Sequence, residues 1–361
     1  LPTISFISGP ALGHFGRIAL VARSLRDLVD CTIEIVIPAT AKFDIARFDD
    51  EFSIRRVPIA ERDLDYPAPA FAEALDAVFE EIRPDLVVHD CCPVRWLATT
   101  RFPDCPRAIV TNGFLTRLAA RETVQTRLFR RRARLIRRER ARRGLPRLAS
   151  GFDLYEADRV LLADPAWLVP DTGPLPETYR ACGAVWWEAG GELGEAMAGA
   201  QDTLLCSMGS TGKLVDDRFC ALAAERFACE DIVRVHSKGE GETVRRVGDH
   251  RLFESGILPL GRLLPQARAV MTQGGAGSSY QALAAGKPLM VVPSHPNQRI
   301  LGELLEQRGV AITVESRRSL ARVPADRIAR IAARAAEAGP AHIANDGAPS
   351  IARHLVELLP H

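Results

Sequence analysis

The stretch that most limits what this chain can become is Ala269–Gln298, AVMTQGGAGSSYQALAAGKPLMVVPSHPNQ. Ala269–Thr272 is a short apolar run that predicts a buried strand. Gly274, Gly275 and Gly277 follow, then Ser278 and Ser279, a helical segment to Ala285, a Gly-Lys-Pro stop and a second strand at Leu289–Val292. Strand, glycine-rich turn, helix and strand make one βαβ unit. Glycines at such a junction let backbone N–H groups approach an anion closely, and the helix start adds unpaired donors and the positive end of its dipole. The turn is expected to hold a diphosphate; if it holds no ligand, its glycines only turn a tight corner.

The same alternation runs along the chain. Thr3–Ser8 predicts a strand, and Gly9 to Arg17 a loop leading into a helix over Ile18–Leu28. Strands are expected at Cys31–Ile37, Phe52–Val57, Leu86–His89, Arg107–Val110, Arg159–Ala163, Thr203–Ser207 and Ala311–Val314. Helices are expected at Phe71–Ile82, after Pro93, and over Leu118–Arg143, Asp216–Ala228, Arg322–Ala338 and Pro349–Leu359. Alternating strands and helices argue for parallel sheets covered on both faces, with functional groups in loops at the carboxyl ends of strands. His14 and Asp90 are both expected in such loops. Gly9, Gly13 and Gly16 do not fit the G-x-G-x-x-G spacing, and Glu34 lies inside the next strand, so a nicotinamide domain is not expected.

At 361 residues there is room for two domains with separate cores. Hydrophobic residues are 47% and charged residues 25%, the balance of a globular protein, and a formal charge of +2 gives no reason to expect nucleic acid. The eight cysteines form no Cys-x-x-Cys pair, so reduced thiols in a cytoplasmic protein are expected rather than zinc or disulfides. Leu1–Ser8 is too short for a signal peptide, and no apolar run approaches the roughly 20 residues needed to span a bilayer. Leu118–Arg143 is the compositional outlier: arginines recur from Arg127 to Arg147, with Glu139 the only acid among them. Phe129, Ala133 and Ile136, widened by Leu128 and Leu135, form an apolar stripe on that helix. Its arginines could serve an anionic acceptor, give peripheral contact with an anionic membrane, or simply be solvated.

The segment TQGGAGSSYQALAAGKPLMVVPSHPNQ resembles the donor-binding signature of GT-B glycosyltransferases, in particular the UDP-glycosyltransferase group and its bacterial antibiotic-glycosylating relatives. The resemblance implies two Rossmann-like domains facing across a cleft: 1–164 for the acceptor, a linker at 165–180, 181–345 for the nucleotide-sugar, and a final helix at 346–361 crossing back. It implies donor contacts from Gln273, Gly274, Gly275, Gly277, Ser278, Gln281, Asn297 and Gln298. Gln273 stands where the family usually has a phosphate-binding His, Gln281 where many members have a ribose-binding Glu, and Asn297 where a sugar-binding Asp is common. Each change keeps hydrogen-bonding ability and drops a charge or a titratable group.

Elsewhere the resemblance is shorter. Met208–Gly212 is similar to a Ser-x-Gly-Ser loop whose Ser210 and Thr211 would meet donor phosphates, and Gly13 would approach the donor from the first domain. Leu258, in Ile257–Leu260, would flank the base with aliphatic packing, since no aromatic lies in that segment. Tyr179–Glu188 is similar to the family's Trp-Trp segment opening the second domain. His14 inherits the role of catalytic base and Asp90 that of its carboxylate partner, with the alternative that each only caps a helix. Alternation would aim His89 away from Asp90. The implied activity is inverting transfer from a UDP- or dTDP-sugar to a small-molecule, natural-product acceptor, without metal or other cofactor, by a monomer or homodimer. A GT-B epimerase acting on a nucleotide sugar, a lipid-linked acceptor and a catalytically silent auxiliary protein are the alternatives.

Overall fold

A computed structural model describes residues 1–41, 48, 51–59, 68–91, 93–209, 215–235 and 241–360. The chain divides into two compact units: Leu1–Val185 together with Asp346–His361, and Trp186–Asn345. Residues 165–180 therefore lie inside the first unit, where their last part enters a sheet, and the second unit begins at the tryptophan pair.

Unit 1 holds β1 (Thr3–Ile7), β2 (Thr32–Pro38), β3 (Ser53–Val57), β4 (Leu86–Asp90), β5 (Arg107–Thr111), β6 (Arg159–Leu162) and β7 (Tyr179–Ala181). They form one sheet in the order β3-β2-β1-β4-β5-β6-β7, with every pairing parallel. Ile4, Phe6, Ile7, Leu86, Val87 and Val88 are fully buried, as expected of central parallel strands covered on both faces. The helix Gly347–Val356 at the chain's end packs on the helix Leu12–Arg26 in the same unit.

Unit 2 holds β8 (Thr203–Ser207), β9 (Asp231–Val235), β10 (Thr243–Val247), β11 (His250–Ser255), β12 (Ala267–Thr272), β13 (Leu289–Val291) and β14 (Ala311–Thr313). Their order is β10-β11-β9-β8-β12-β13-β14, parallel except for the β10–β11 hairpin. In both sheets the order reverses at the centre, between β1 and β4 and between β8 and β12. Open α/β sheets bind ligands outside the carboxyl ends of strands at such reversals.

Several sequence expectations are corrected. The first helix starts at Leu12, not Ile18, so Gly13 and His14 lie in its first turn rather than in a loop. Glycine costs a helix only about 1 kcal/mol, too little to delay its start. The segment after Asp90 is a 3-10 run, Pro93–Thr99, not an α-helix. The arginine-rich helix begins at Val124, not Leu118, where Thr123 and Thr126 form a reciprocal cap. Leu135 stands outside the apolar stripe, 45% exposed.

Candidate functional site

His14 and Arg17 lie three residues apart on the first helix, hence on one face. Asp90 ends β4, the strand next to β1, and is fully buried. Its Oδ1 lies 2.6 Å from His14 Nδ1. Its Oδ2 accepts from Arg17 Nε at 3.0 Å and also from Arg17 Nη2. Arg17 Nη1 donates to Asn112 Oδ1 at 2.9 Å, and Asn112 Nδ2 donates to Asp164 Oδ1 at 2.7 Å. Asp164 Oδ2 accepts the Gly113 N–H at 2.6 Å. Five side chains from the ends of three neighbouring strands and the first helix thus form one chain of bonds, with His14 at its more exposed end, its side chain 35% accessible.

The electrostatics follow from burial and pairing. Burial pushes the Asp90 carboxyl up, but Arg17 first and His14 second outweigh it and hold Asp90 well below the usual carboxylate range. An ionised carboxylate on Nδ1 makes that nitrogen the donor, which leaves the lone pair on Nε2. His89 packs against Phe102, ring centroids 6.0 Å apart, and burial foremost, with Arg107 adding repulsion, pushes its imidazole down to about 3. His14, Asp90 and Cys91 also lie close enough to offer a cation three ligand atoms. Arg17 already places a fixed positive charge on Asp90 and donates to Cys91 Sγ at 3.2 Å, so this donor set suits an imidazole better than a metal ion. Sequence reading missed Arg17, Asn112 and Asp164. The i, i+3 spacing of His14 and Arg17 was visible; their shared partner 73 residues beyond Arg17 was not.

The second cluster is neutral. The backbone N–H of Ser294 can only donate, and it donates to Gln298 Oε1 at 2.8 Å, joined by Ser294 Oγ at 2.9 Å. Gln298 must then present Nε2, which donates to Gln273 Oε1 at 2.8 Å. Gln273 is left with its Nε2 as the outward group. That nitrogen is buried with no hydrogen-bond partner among the described residues. It lies 4.0 Å from the place a Cβ would take on Gly209, in the loop after β8. An unpaired donor therefore sits at the sheet's reversal point.

The glycines differ in kind. Gly274 has φ +90°, and a Cβ there would come within 2.7 Å of the Gln298 carbonyl oxygen, so the fold itself requires glycine. Gly275 is exposed, has φ −70°, and a Cβ would meet only Ser278 Oγ at 3.7 Å. The helix Ala276–Ala284 starts there without a side-chain cap, whereas Asp216 and Ser316 cap their helices. Ser278 Oγ lies 3.1 Å from Thr272 Oγ, tying helix start to strand end.

Gln281, 6% exposed, lines a cavity of about 380 Å³ with Trp186, Glu188, Leu264, Pro265 and Lys287. Trp186 reaches this cavity from far earlier in the chain, its Cβ 3.6 Å from where Gly277 would carry one. Leu258 is half-buried and does not line this cavity. Asn297 is half-buried in the first turn of the helix Pro296–Gln307, beside Gln298. Gly13 is exposed with nothing within 4 Å of a Cβ position. Ser210 and Thr211 lie outside the described residues.

No protein-family model matches the chain. It is 25% identical over 279 residues to the PGL/p-HBAD biosynthesis rhamnosyltransferase of Mycobacterium bovis, covering 69% of this chain and 60% of that protein's length. Among solved structures, the glycotransferase of kitacinnamycin matches with a TM-score of 0.69 over 100% of both chains at 19% identity. The glycosyltransferase SsfS6 of Streptomyces sp. SF2575, complexed with thymidine diphosphate, matches with a TM-score of 0.66 over 99% of this chain and 100% of that one at 15% identity. The fold is therefore GT-B, with two Rossmann-like domains, and the similar structures are glycosyltransferases, among them SnogD of Streptomyces nogalater and the calicheamicin glycosyltransferase CalG4.

Proposed function

We propose that the chain is an inverting glycosyltransferase taking a sugar from a UDP- or dTDP-linked donor to a small-molecule acceptor. The observation that carries the reading is the orphaned Gln273 Nε2, a buried donor aimed between the ends of β8 and β12. A buried donor without a partner costs free energy that an anionic oxygen would recover. The uncapped helix start at Gly275 adds backbone donors and dipole, as a diphosphate site needs. The cavity holding Trp186 and Gln281 offers a ring face for the base and an amide for the ribose.

In unit 1, His14 Nε2 takes the acceptor hydroxyl's proton while Asp90 stabilises the imidazolium that results. The acceptor oxygen bonds to the anomeric carbon as the bond to the nucleoside diphosphate breaks on the opposite side, which inverts the anomeric configuration. The leaving diphosphate is stabilised by the amide of Gln273 and the helix start, so the reaction needs no metal. The test is release of nucleoside diphosphate from UDP- and dTDP-hexoses by the purified chain, with Mg²⁺ and with a chelator. The reading expects release in both conditions and its loss in His14→Ala. Release that requires Mg²⁺, or that survives in His14→Ala, overturns the corresponding assignment.

A further inference from the structure

The helix Val124–Arg142 takes no part in either cluster. It carries nine arginines and one glutamate, so it alone is more positive than the whole chain at +2. One side is consumed by the fold. Phe129 and Ile136 are buried, and Arg140 donates to the carbonyls of Pro146 and Ala98. Arg127 and Arg130 pair with Glu122, and Arg142 with Glu139 and Glu73. Arg131, Arg134 and Arg138 stay exposed, with no ion pair recorded to a described residue.

Those three arginines lie one, three and four residues from Leu135, so they surround it on the helix surface. Leu135 is 45% exposed. Between Arg127 and Arg138, every exposed residue is an arginine except Leu135. Half-buried Leu128 lies seven residues earlier, nearly on the same line. A merely solvated face gains nothing from a leucine at its centre.

We infer that this face docks on the surface of a bilayer containing anionic lipids, with the arginines on headgroup phosphates and Leu135 at the acyl boundary. The guanidinium fork matches phosphate oxygens, and an aliphatic centre ringed by cations is the pattern of an interfacial helix. Nucleic acid fits less well, because no aromatic or amide side chain stands among the exposed residues to stack on or read a base. No described helix is long and apolar enough to cross a membrane, so the contact is peripheral.

The test is flotation of the full chain with phosphatidylcholine vesicles, with and without phosphatidylglycerol, across a salt series. It reads no sugar transfer, so it stands apart from the proposed reaction. The expected result is binding to the phosphatidylglycerol vesicles alone, lost as salt rises. The triple variant Arg131→Gln, Arg134→Gln, Arg138→Gln should bind about 100-fold more weakly, near fivefold per arginine. Leu135→Ser should weaken binding while leaving the salt slope unchanged, and it keeps the proposal falsifiable should the triple variant misfold. Failure of the wild type to float at low salt, a folded triple variant that floats like the wild type, or duplex DNA held as tightly as the vesicles overturns the inference.

Discussion

At the reversal point of the first sheet, Asp90, Arg17 and His14 are bonded in a row, with Asn112 and Asp164 behind them. At the reversal point of the second sheet stand Gln273, Gln298, Ser294 and glycines, and no side chain among them is charged. The difference matches two tasks. Moving a proton requires a titratable group whose state is held by fixed charges. Holding an anion requires only oriented donors, and an amide locked by its neighbours is a donor at every pH. On the function proposed above, Gln273, standing where the family it resembles usually has a His, serves binding by constancy rather than by titration.

The largest effect that separates the two regions is expected from His14→Ala. Turnover should fall on the order of 10²–10⁴-fold, the usual worth of a general base, while nucleotide affinity stays unchanged by calorimetry. A fall in affinity instead would join the two regions that the comparison keeps apart.

Asp90→Asn should cost about 3–5 kcal/mol of stability, because it leaves the buried Arg17 guanidinium without its counter-charge. Gln298→Ala, which breaks only neutral bonds, should cost about 1–3 kcal/mol. Denaturant melts of the two variants measure the contrast, and equal costs would erase it.

Gln273→Leu removes one donor to an anion and should weaken nucleoside diphosphate binding by about 1.5–3 kcal/mol, while also taking away the acceptor of Gln298 Nε2. Unchanged affinity would mean that the orphaned amide faces no phosphate.

The last contrast is pH dependence of stability, and it belongs to unit 1. His89 is held neutral, near 3 against about 6.5 in an unfolded chain, so between those values the unfolded chain binds the extra proton. Its contribution is complete above about pH 6.5 and is lost toward pH 3, at about 1.4 kcal/mol per pH unit. Asp90, also depressed, adds a loss of the same sign below about pH 4. His89→Leu should flatten the melting curve between pH 4 and 6.5; an unchanged slope would place the acid sensitivity elsewhere.

Sequence showed more of the second region than of the first. The strand, turn and helix around Gly274–Ser278 are local, and local spacing carries its own geometry. Gly274 could even have been separated from Gly275 only by knowing that Gln298 returns beside it. His14 and Asp90 were legible through a family resemblance, but Arg17 gains its meaning from a partner that only β1–β4 pairing brings near. Trp186 reaches the cavity the same way. The β10–β11 hairpin left a signal that went unused, the two-residue Gly248-Asp249 turn with Gly248 at φ +60°. Leu135 could not be assigned to solvent from periodicity, because it borders the arc that the fold buries.

The most direct measurement is calorimetric titration of UDP, dTDP and GDP into the wild type and into Gly275→Val, each with and without Mg²⁺. A Cβ at Gly275 meets only Ser278 Oγ at 3.7 Å and φ there is ordinary, so the valine is expected to leave the fold intact and crowd a ligand, which a melt of the variant checks. The account expects UDP or dTDP to bind the wild type without metal and to lose at least tenfold in affinity in the variant. Binding that needs Mg²⁺, binding that Gly275→Val leaves untouched, or no binding by any of the three would contradict it.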